Sequence, residues 1–359
     1  MERRGSPPGR SSFTQAPSRV SSPSEDLGRQ RGSCGDGCSR PSKPSKARQV
    51  FGRRRLEPRV TLSIVIITHN EEANIARTLA SVQPLVADGR GEIIVVDSGS
   101  TDRTVDIAKS FGSKVFIEEW RGYAAQKNSA IDKAIGDWIL SLDADESLEP
   151  ALIEELIFLY SSSPPAADVS QRLDRLRRLT YLSTRKTRRT VRALAEAHGD
   201  SGGIFVGFTG FLIPRKNFFL GRWIKHGGFW PDPKLRLFKK GMARFEDRPV
   251  HEDARLIEGI SPQLKGALLH HSYPTLADYI DHMNRYSSLG AEMAVAKGEC
   301  GFSVFNIVLR PLATFIYNYL FRLGFLDGRE GLLLHLYHAV YVSWKYAKAW
   351  EFARNQPPK

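Results

Sequence analysis

Asp143, Asp145 and Glu146 follow directly on the apolar run Trp138-Ile139-Leu140-Ser141-Leu142. Two carboxylates separated by one residue offer hard oxygen ligands to a divalent cation. They leave its other positions open to water and phosphate oxygens, as Mg2+ and Mn2+ prefer. An Asp-x-Asp pair also occurs in solvated acidic turns, so its chemistry depends on the element that presents it. The run before it reads as a β-strand covered on both faces, in a mostly parallel sheet. Ligands of open α/β sheets bind outside the carboxyl ends of the strands, so the three acids are expected to face that crevice.

The elements that must position these acids lie upstream. Leu62 to Ile67 reads as a buried strand, followed by a polar loop and a helix from about Glu72 to Val82. Glu92 to Val96 is a second strand, closed by Asp97 and the turn Ser98-Gly99-Ser100-Thr101-Asp102, with a helix over Thr104 to Phe111. Lys114 to Glu118 and Tyr123 to Ala134 form a third unit, and the strand ending at Asp143 is the fourth. This alternation implies an α/β protein with a doubly wound, parallel sheet. No G-x-G-x-x-G follows the first strand and no G-x-x-x-x-G-K-[ST] occurs, which excludes the dinucleotide fingerprint and the P-loop. Instead Thr68, Asn70, Glu71 and Asp97 stand at the first two strand ends, able to hydrogen-bond a base and a ribose. Asn70 and Ser100 to Asp102 are equally suited to capping the helices that follow.

The 359 residues carry a net charge of +13, unevenly placed. Residues 1–59 hold 14 Lys+Arg against 5 Asp+Glu, and residues 168–200 hold 9 against 4, so the rest is within one charge of neutrality. A neutral body with two basic appendages argues against a nucleic-acid fold and fits an anionic membrane surface. Residues 1–58, rich in Ser, Pro, Gly and Arg, read as a disordered tail. An organelle transit peptide or a start codon placed too far upstream would leave the same composition. Cys34, Cys38 and Cys300 are too few for a disulfide framework and form no zinc motif. No apolar stretch suited to a secretory signal opens the chain, so a cytoplasmic location is expected.

Between about 168 and 203, Leu173, Leu176, Leu179 and Leu182 recur every third residue among arginines. This is either an amphipathic basic helix or a solvated insertion. Phe302 to Leu323 is long and apolar enough to raise a transmembrane span, but Arg310, Pro311 and Asn318 interrupt it. Leu332 to Trp350 mixes aromatic residues with His335, His338, Lys345 and Lys348. Two such helices suit an interfacial position on the membrane, or packing against the preceding domain.

The runs THNEEANI, EIIVVDSGSTDRTVDIA, GYAAQKNSAI and DWILSLDADE together resemble family 2 glycosyltransferases of the GT-A fold. NFFLGRWIKHGGFWPDPKLRLFKKG, RPVHE, LLHHSYPT, NRYS and GFLDGREG extend the likeness to the bacterial lipopolysaccharide inner-core β-1,4-glucosyltransferase group. The resemblance implies a GT-A type doubly wound mixed sheet over residues 59–270, with a C-terminal helical, membrane-associating region over 271–359. It implies inverting transfer of a hexose such as glucose from a nucleoside diphosphate sugar, with Mg2+ or Mn2+, to a lipopolysaccharide-core or other glycolipid acceptor. The enzyme would then sit on the inner face of the cytoplasmic membrane.

By that likeness Thr68, Glu71, Asp97, Gln126 and Lys127 would face the nucleotide. Asp143 would reach ribose or metal, Asp145 the metal, and Arg236 the diphosphate. Arg236 is otherwise an exposed strand charge. Glu252 would be the catalytic base, with Asp247 and Asp253 as rivals and a structural His251–Glu252 pair as the alternative. Trp223, His226, Trp230 and Asp232 would shape the sugar and acceptor pocket, although core packing accounts for either Trp. A polyprenyl-phosphate sugar transferase of the same fold is the nearest alternative function. Of other classes, a glycoside hydrolase also uses two carboxylates but needs neither metal nor nucleotide. A sugar-nucleotide pyrophosphorylase would carry a Gly-rich loop where this chain has THNEE.

Overall fold

The seven residues of β1 (Leu62–Thr68) are all buried, as a run rich in β-branched residues requires once both faces are covered. The computed structural model describes residues 62–87, 89, 91–161, 180–181, 208–246, 253–299 and 301–355. The basic tail, Glu252 with its rival Asp247, and the basic insertion apart from Thr180 and Tyr181 lie outside the described residues.

β1 is followed by α1 (Ile75–Val86), β2 (Gly91–Asp97), α2 (Thr104–Ser110), β3 (Lys114–Ile117), α3 (Tyr123–Lys133) and β4 (Trp138–Asp143). Then come β5 (Glu146–Leu148), α4 (Pro150–Ser161), β6 (Thr180–Tyr181), β7 (Gly210–Ile213), β8 (Arg215–Phe219) and β9 (Arg222–Trp223). β10 (Lys234–Lys239), β11 (Ala243–Phe245), β12 (Ala254–Leu256), β13 (Gln263–Leu264) and β14 (Leu268–Tyr273) complete the strands. The main sheet has the order β3-β2-β1-β4-β10-β7-β13-β6, and its first four strands are parallel. β10 joins antiparallel to both β4 and β7, so the sheet is mixed. The sequence pattern showed only the parallel half, because antiparallel entry is a matter of tertiary pairing.

Apolar clusters on both faces hold the layers together. Ile64, Ile66, Leu140 and Leu142 pack with Ile75, Leu79 and Val82 of α1 on one side. Val65, Ile94 and Ile139 pack with Ala130 and Ile131 of α3 on the other. Each fully buried Ile or Leu here contributes about 1.5–3 kcal/mol relative to an exposed side chain.

A second sheet, β5-β14-β8-β9, begins where β4 leaves off. Its β14 and β5 are paired so that His270 lies opposite Glu146. Beyond it come α5 (Leu276–Ala296), a π-helical turn (Phe305–Leu309), α6 (Arg310–Ile316) and a second π-helical turn (Tyr317–Phe321). A 3-10 turn (Gly324–Asp327) leads into α7 (Gly328–Asn355). α5 starts on a capping box in which Thr275 and Asp278 satisfy each other's backbone N–H groups. Phe219, Ile224, Tyr279 and Leu334 form the apolar cluster that joins these helices to the second sheet.

Candidate functional site

Strand register brings the first three candidate residues to one line. Thr68 pairs with Asp97 across β1 and β2, and Ile67 pairs with Asp143 across β1 and β4. The carboxyl ends of three neighbouring parallel strands therefore share one edge, the place such sheets use for ligands.

Asp97 is fully buried and organises its own turn. Its Oδ1 accepts from the backbone N–H of Gly99 (2.9 Å) and Ser100 (2.8 Å), and its Oδ2 from the Ser100 hydroxyl (2.5 Å). The same hydroxyl accepts from the Asn70 N–H at 2.8 Å, and Asn70 Oδ1 accepts from the Thr101 N–H at 2.8 Å. Glu71 N–H donates to Thr104 Oγ1 at 2.7 Å, and Glu72 N–H to Asp102 Oδ2 at 3.1 Å. Asn70 and Asp102 thus tie the loops after β1 and β2 to each other, and neither is the N-cap residue of α1 or α2. The result is a rigid rim above the strand ends.

Two buried groups on this rim are left without partners. Neither amide atom of the fully buried Gln126, nor Oγ1 of Thr68, has a hydrogen-bond partner among the described residues. An unpaired buried amide costs on the order of 1–3 kcal/mol, which an arriving polar ligand would recover. Glu71, whose Oε2 accepts from Asn74 at 2.8 Å, has its pKa raised by burial and further by the carboxylates of Asp145, Asp102 and Asp143. The crevice therefore gathers negative charge where a cation would be welcome.

The three acids at the β4 exit do different work. Asp143 meets Lys127 Nζ at 2.7 Å and Arg236 at 2.5 Å. Burial opposes its ionisation, yet the Arg236 and Lys127 charges hold its carboxyl well below the usual range. Asp145 lies 3.2 Å from His270 Nε2. It too stays ionised against burial, chiefly through His270, while Asp143 works the other way. Glu146 is fully buried and accepts from Arg236 at 2.7 Å, from Arg215 at 3.2 Å and from the Asp143 N–H at 3.1 Å. The expectation that all three acids face the crevice is corrected for Glu146. β5 begins at this residue and turns it inward, where it anchors two guanidinium groups.

Arg236 is no exposed strand charge. The β10–β7 register shifts between Leu235 and Leu237, and this irregularity carries Arg236, which lies buried against Asp143 and Glu146. Among the described residues no group of three His, Cys, Asp or Glu side chains comes together to hold a metal. Mg2+ is commonly held by one or two carboxylates, its remaining positions filled by water and substrate phosphates. Asp145 and Asp143, close enough for the charge of one to oppose ionisation of the other, fit that smaller donor set.

A second wall rises from the other sheet. Trp223 and Trp230 meet edge to face at 5.3 Å, with the ammonium groups of Lys216 (4.7 Å) and Lys225 (4.5 Å) over the Trp223 ring. Asp232 accepts from Arg215 Nε (3.0 Å) and from Asn217 Nδ2 (3.1 Å). Asn217 Oδ1 in turn contacts His270 Nδ1 at 2.8 Å, which links this wall to Asp145. His226 is turned toward the C-terminal helices, its Nδ1 3.0 Å from the buried Asp327. Asp327 also accepts the backbone N–H groups of Lys225 (3.1 Å) and His226 (2.8 Å).

Gly227 and Gly228, at φ 65° and 92°, allow a close approach there. A Cβ on them would come within 2.0 Å of His335 and 2.1 Å of Arg322. Asp253, the rival base that is described, is exposed and lies 3.3 Å from Lys234, which also reaches Asp232 at 3.7 Å.

Residues 63–219 match the Glycosyl transferase family 2 model. They form a family 2 glycosyltransferase domain. An uncharacterized glycosyltransferase of Rickettsia typhi is 46% identical over 101 residues, which cover 28% of this chain and 33% of that protein. The chain thus spans about a third of that relative's length. The lipopolysaccharide core biosynthesis glycosyltransferase LpsC of Rhizobium meliloti is 26% identical over 306 residues, covering 82% of this chain and 93% of LpsC. Glucosyl-3-phosphoglycerate synthase of Mycobacterium tuberculosis, solved with Mn2+, UDP and glucosyl-3-phosphoglycerate, is 31% identical over 28% of this chain and 38% of its own, at a TM-score of 0.24.

The segment matched to the family 2 model supplies every nucleotide-side candidate except Arg236, which lies beyond it. Sequence reasoning passed over Arg215, Asn217 and His270, which join the two walls. Arg215 and Asn217 are two apart on one strand and so share a face, an available signal in FLIPRKNFF.

Two predictions arise from these contacts. Arg236→Ala leaves the buried Glu146 and the partly exposed Asp143 without their main counter-charge and is expected to destabilise the protein by about 3 kcal/mol. Equilibrium denaturation in urea checks this, and a loss below 1 kcal/mol would remove Arg236 from the structural account. His335 is pushed by burial down to about 4, with the His338 charge acting in the same direction. The unfolded chain therefore binds the proton first, so stability should fall as pH drops from about 6.5 toward 4. His335→Gln should flatten that limb of a stability–pH curve. An unchanged slope would show that His335 binds its proton equally in the folded and unfolded states.

Proposed function

We propose that the protein is an inverting glycosyltransferase that moves a hexose, such as glucose, from a nucleoside diphosphate sugar to a lipopolysaccharide-core or other cell-envelope glycolipid. The observation that carries this reading is the rim of three adjoining strand ends, with Thr68 and Gln126 lacking partners among the described residues beside two buried cations, Lys127 and Arg236. Polar groups awaiting a base or ribose, next to fixed positive charge, suit a nucleotide with a diphosphate. The extent of the likeness to LpsC supports the acceptor class. The same lipid-linked setting makes an anionic leaflet the expected partner of the basic tail and insertion.

The chain's own residues divide the reaction as follows. Thr68, Gln126 and Glu71 bind and orient the nucleoside. Trp223, Trp230 and Asp232 wall the space beyond the sugar, where aromatic faces can pack on a hexose ring. The acceptor hydroxyl attacks the anomeric carbon as the bond to the β-phosphate oxygen breaks, and Glu252 takes the hydroxyl proton. The electron pair of the broken bond leaves on the diphosphate, where Lys127 and Arg236 supply positive charge without reorganising. A divalent cation on Asp145 and Asp143 would add Lewis-acid stabilisation of that leaving group.

Neither Asp143 nor Asp145 has the raised pKa that the acid of a glycoside hydrolase needs. The direct test is a thermal-shift screen of nucleotide sugars with and without Mn2+. A true donor should raise the melting temperature by mass action, and more so with the metal. No shift with any nucleotide sugar at millimolar concentration would overturn the reading.

A further inference from the structure

The helical hairpin after α5 carries an exposed face that the sugar-transfer chemistry does not use. Phe305, Leu309, Leu312, Ile316, Leu320 and Phe321 are each between 37% and 75% exposed. All but Phe321 recur at spacings of three or four along the π–α–π helix, so they form one stripe. The stripe is not a surface awaiting the rest of its own fold, because the helix already packs on α7. Ser343 of α7 donates to the Ile307 carbonyl at 2.8 Å, and the Arg310 guanidinium lies 5.0 Å from the Tyr346 ring.

Composition decides what kind of partner covers this face. From Gly301 to Leu326 there is not one acidic residue, and the cations are Arg310 and Arg322. Over residues 304–326 the exposed side chains that can hydrogen-bond are those two arginines and Tyr317, with Asn306, Thr314, Asn318 and Tyr319 half-buried. A protein interface carries roughly one hydrogen bond per 100–200 Å² and a polar rim, which this face cannot supply. A lipid surface asks for the opposite, namely apolar and aromatic groups flanked by cations with no anion among them. The Arg322 guanidinium is 5.9 Å from the Tyr317 ring, placing a cation and an amphipathic aromatic together at the edge of the stripe. Among the described residues no helix is long and apolar enough to cross a membrane, so the contact is lateral.

We propose that the Phe305–Phe321 stripe, continued by Phe325 and Leu326, is a docking surface for an anionic lipid bilayer, in whose interface the helix lies flat. The stripe ends next to Asp327, which grips the backbone of Lys225 and His226, while the Arg322 carbonyl accepts from the Gly227 N–H at 2.9 Å. Docking therefore fixes the Trp223–Asp232 wall at a set height above the bilayer. The purpose of that arrangement rests on the reading of a membrane-anchored acceptor, whereas the surface itself stands on geometry alone.

The test uses the full chain and vesicles of phosphatidylcholine with one quarter phosphatidylglycerol, with neither donor nor acceptor present. Co-sedimentation is measured at 0.1 M and 1 M salt, where the Debye length falls from about 10 Å to about 3 Å. The wild type should bind at both salts, with a salt-resistant part. Leu309→Asp/Leu312→Asp/Leu320→Asp, at positions that are each 51% or 53% exposed, should keep the far-UV circular dichroism of the wild type and lose that part at least tenfold. Absence of wild-type binding at either salt, or wild-type binding by the triple variant, would overturn the proposal. So would a lipid-free dimer that the triple variant converts to monomer, since the face would then be a protein interface. The donor screen is independent of this assay, so failure of either leaves the other standing.

Discussion

Asp145→Ala is expected to lower sugar transfer by about three orders of magnitude or more, the several kcal/mol that a bound cation contributes to a departing diphosphate. The fold should survive. Asp145 is paired with His270, and removing the carboxylate leaves an imidazole that still contacts Asn217 and Ser272. The cost to stability is then on the order of 1–2 kcal/mol, that of one charge-assisted contact. Initial rates with the donor selected by thermal shift, in Mn2+ and after EDTA, measure the effect, with far-UV circular dichroism as the control. Wild type in EDTA should drop to the level of the variant, and the variant should be indifferent to EDTA. Full activity of Asp145→Ala, or undiminished wild-type activity without metal, would remove the cation from this site.

Arg236→Ala would also reduce transfer, but through a different route that denaturation separates. Arg236 ties Asp143 to Glu146, so its loss disturbs the acids and unfolds the protein more easily, whereas Asp145→Ala removes one ligand from an intact rim.

How much of this was legible in the sequence depends on the range of the interactions involved. The strand ends Thr68, Asp97 and Asp143 could be placed in one row because buried runs of β-branched residues fix strand, direction and burial together. The unpartnered Gln126 sits in the first turn of α3, in the GYAAQKNSAI segment singled out by resemblance. Arg236 was ambiguous because alternation along KLRLF puts it on either face, and the register shift that decides the matter arises from pairing with β7. Glu146 looked like a third crevice acid because nothing local announces β5 or the two arginines that reach it from β8 and β10. Asp327, in GFLDGREG, is polar, followed by a glycine and unremarkable in sequence. Its role depends on a loop about 100 positions away, at Lys225 and His226. The residues hardest to read were thus those whose partners come from another layer.

Glu252→Gln is expected to retain donor binding and lose turnover by roughly two to four orders of magnitude, the usual contribution of a general base. Gln keeps the size and can still accept a hydrogen bond from the acceptor hydroxyl, so binding should be spared while the proton has nowhere to go. The rivals give the experiment its discrimination. Asp253 is exposed and lies within 3.3 Å of Lys234, an ammonium that would compete with an acceptor hydroxyl for its oxygens. Asp253→Asn is therefore expected to change turnover by less than tenfold. The thermal shift caused by donor and Mn2+ should be the same in wild type and Glu252→Gln, which places the defect after binding. Single-turnover rates at saturating donor then isolate the chemical step from product release. If Asp247→Asn or Asp253→Asn abolishes turnover and Glu252→Gln does not, the base is the neighbouring aspartate, and Glu252 belongs to a structural pair with His251.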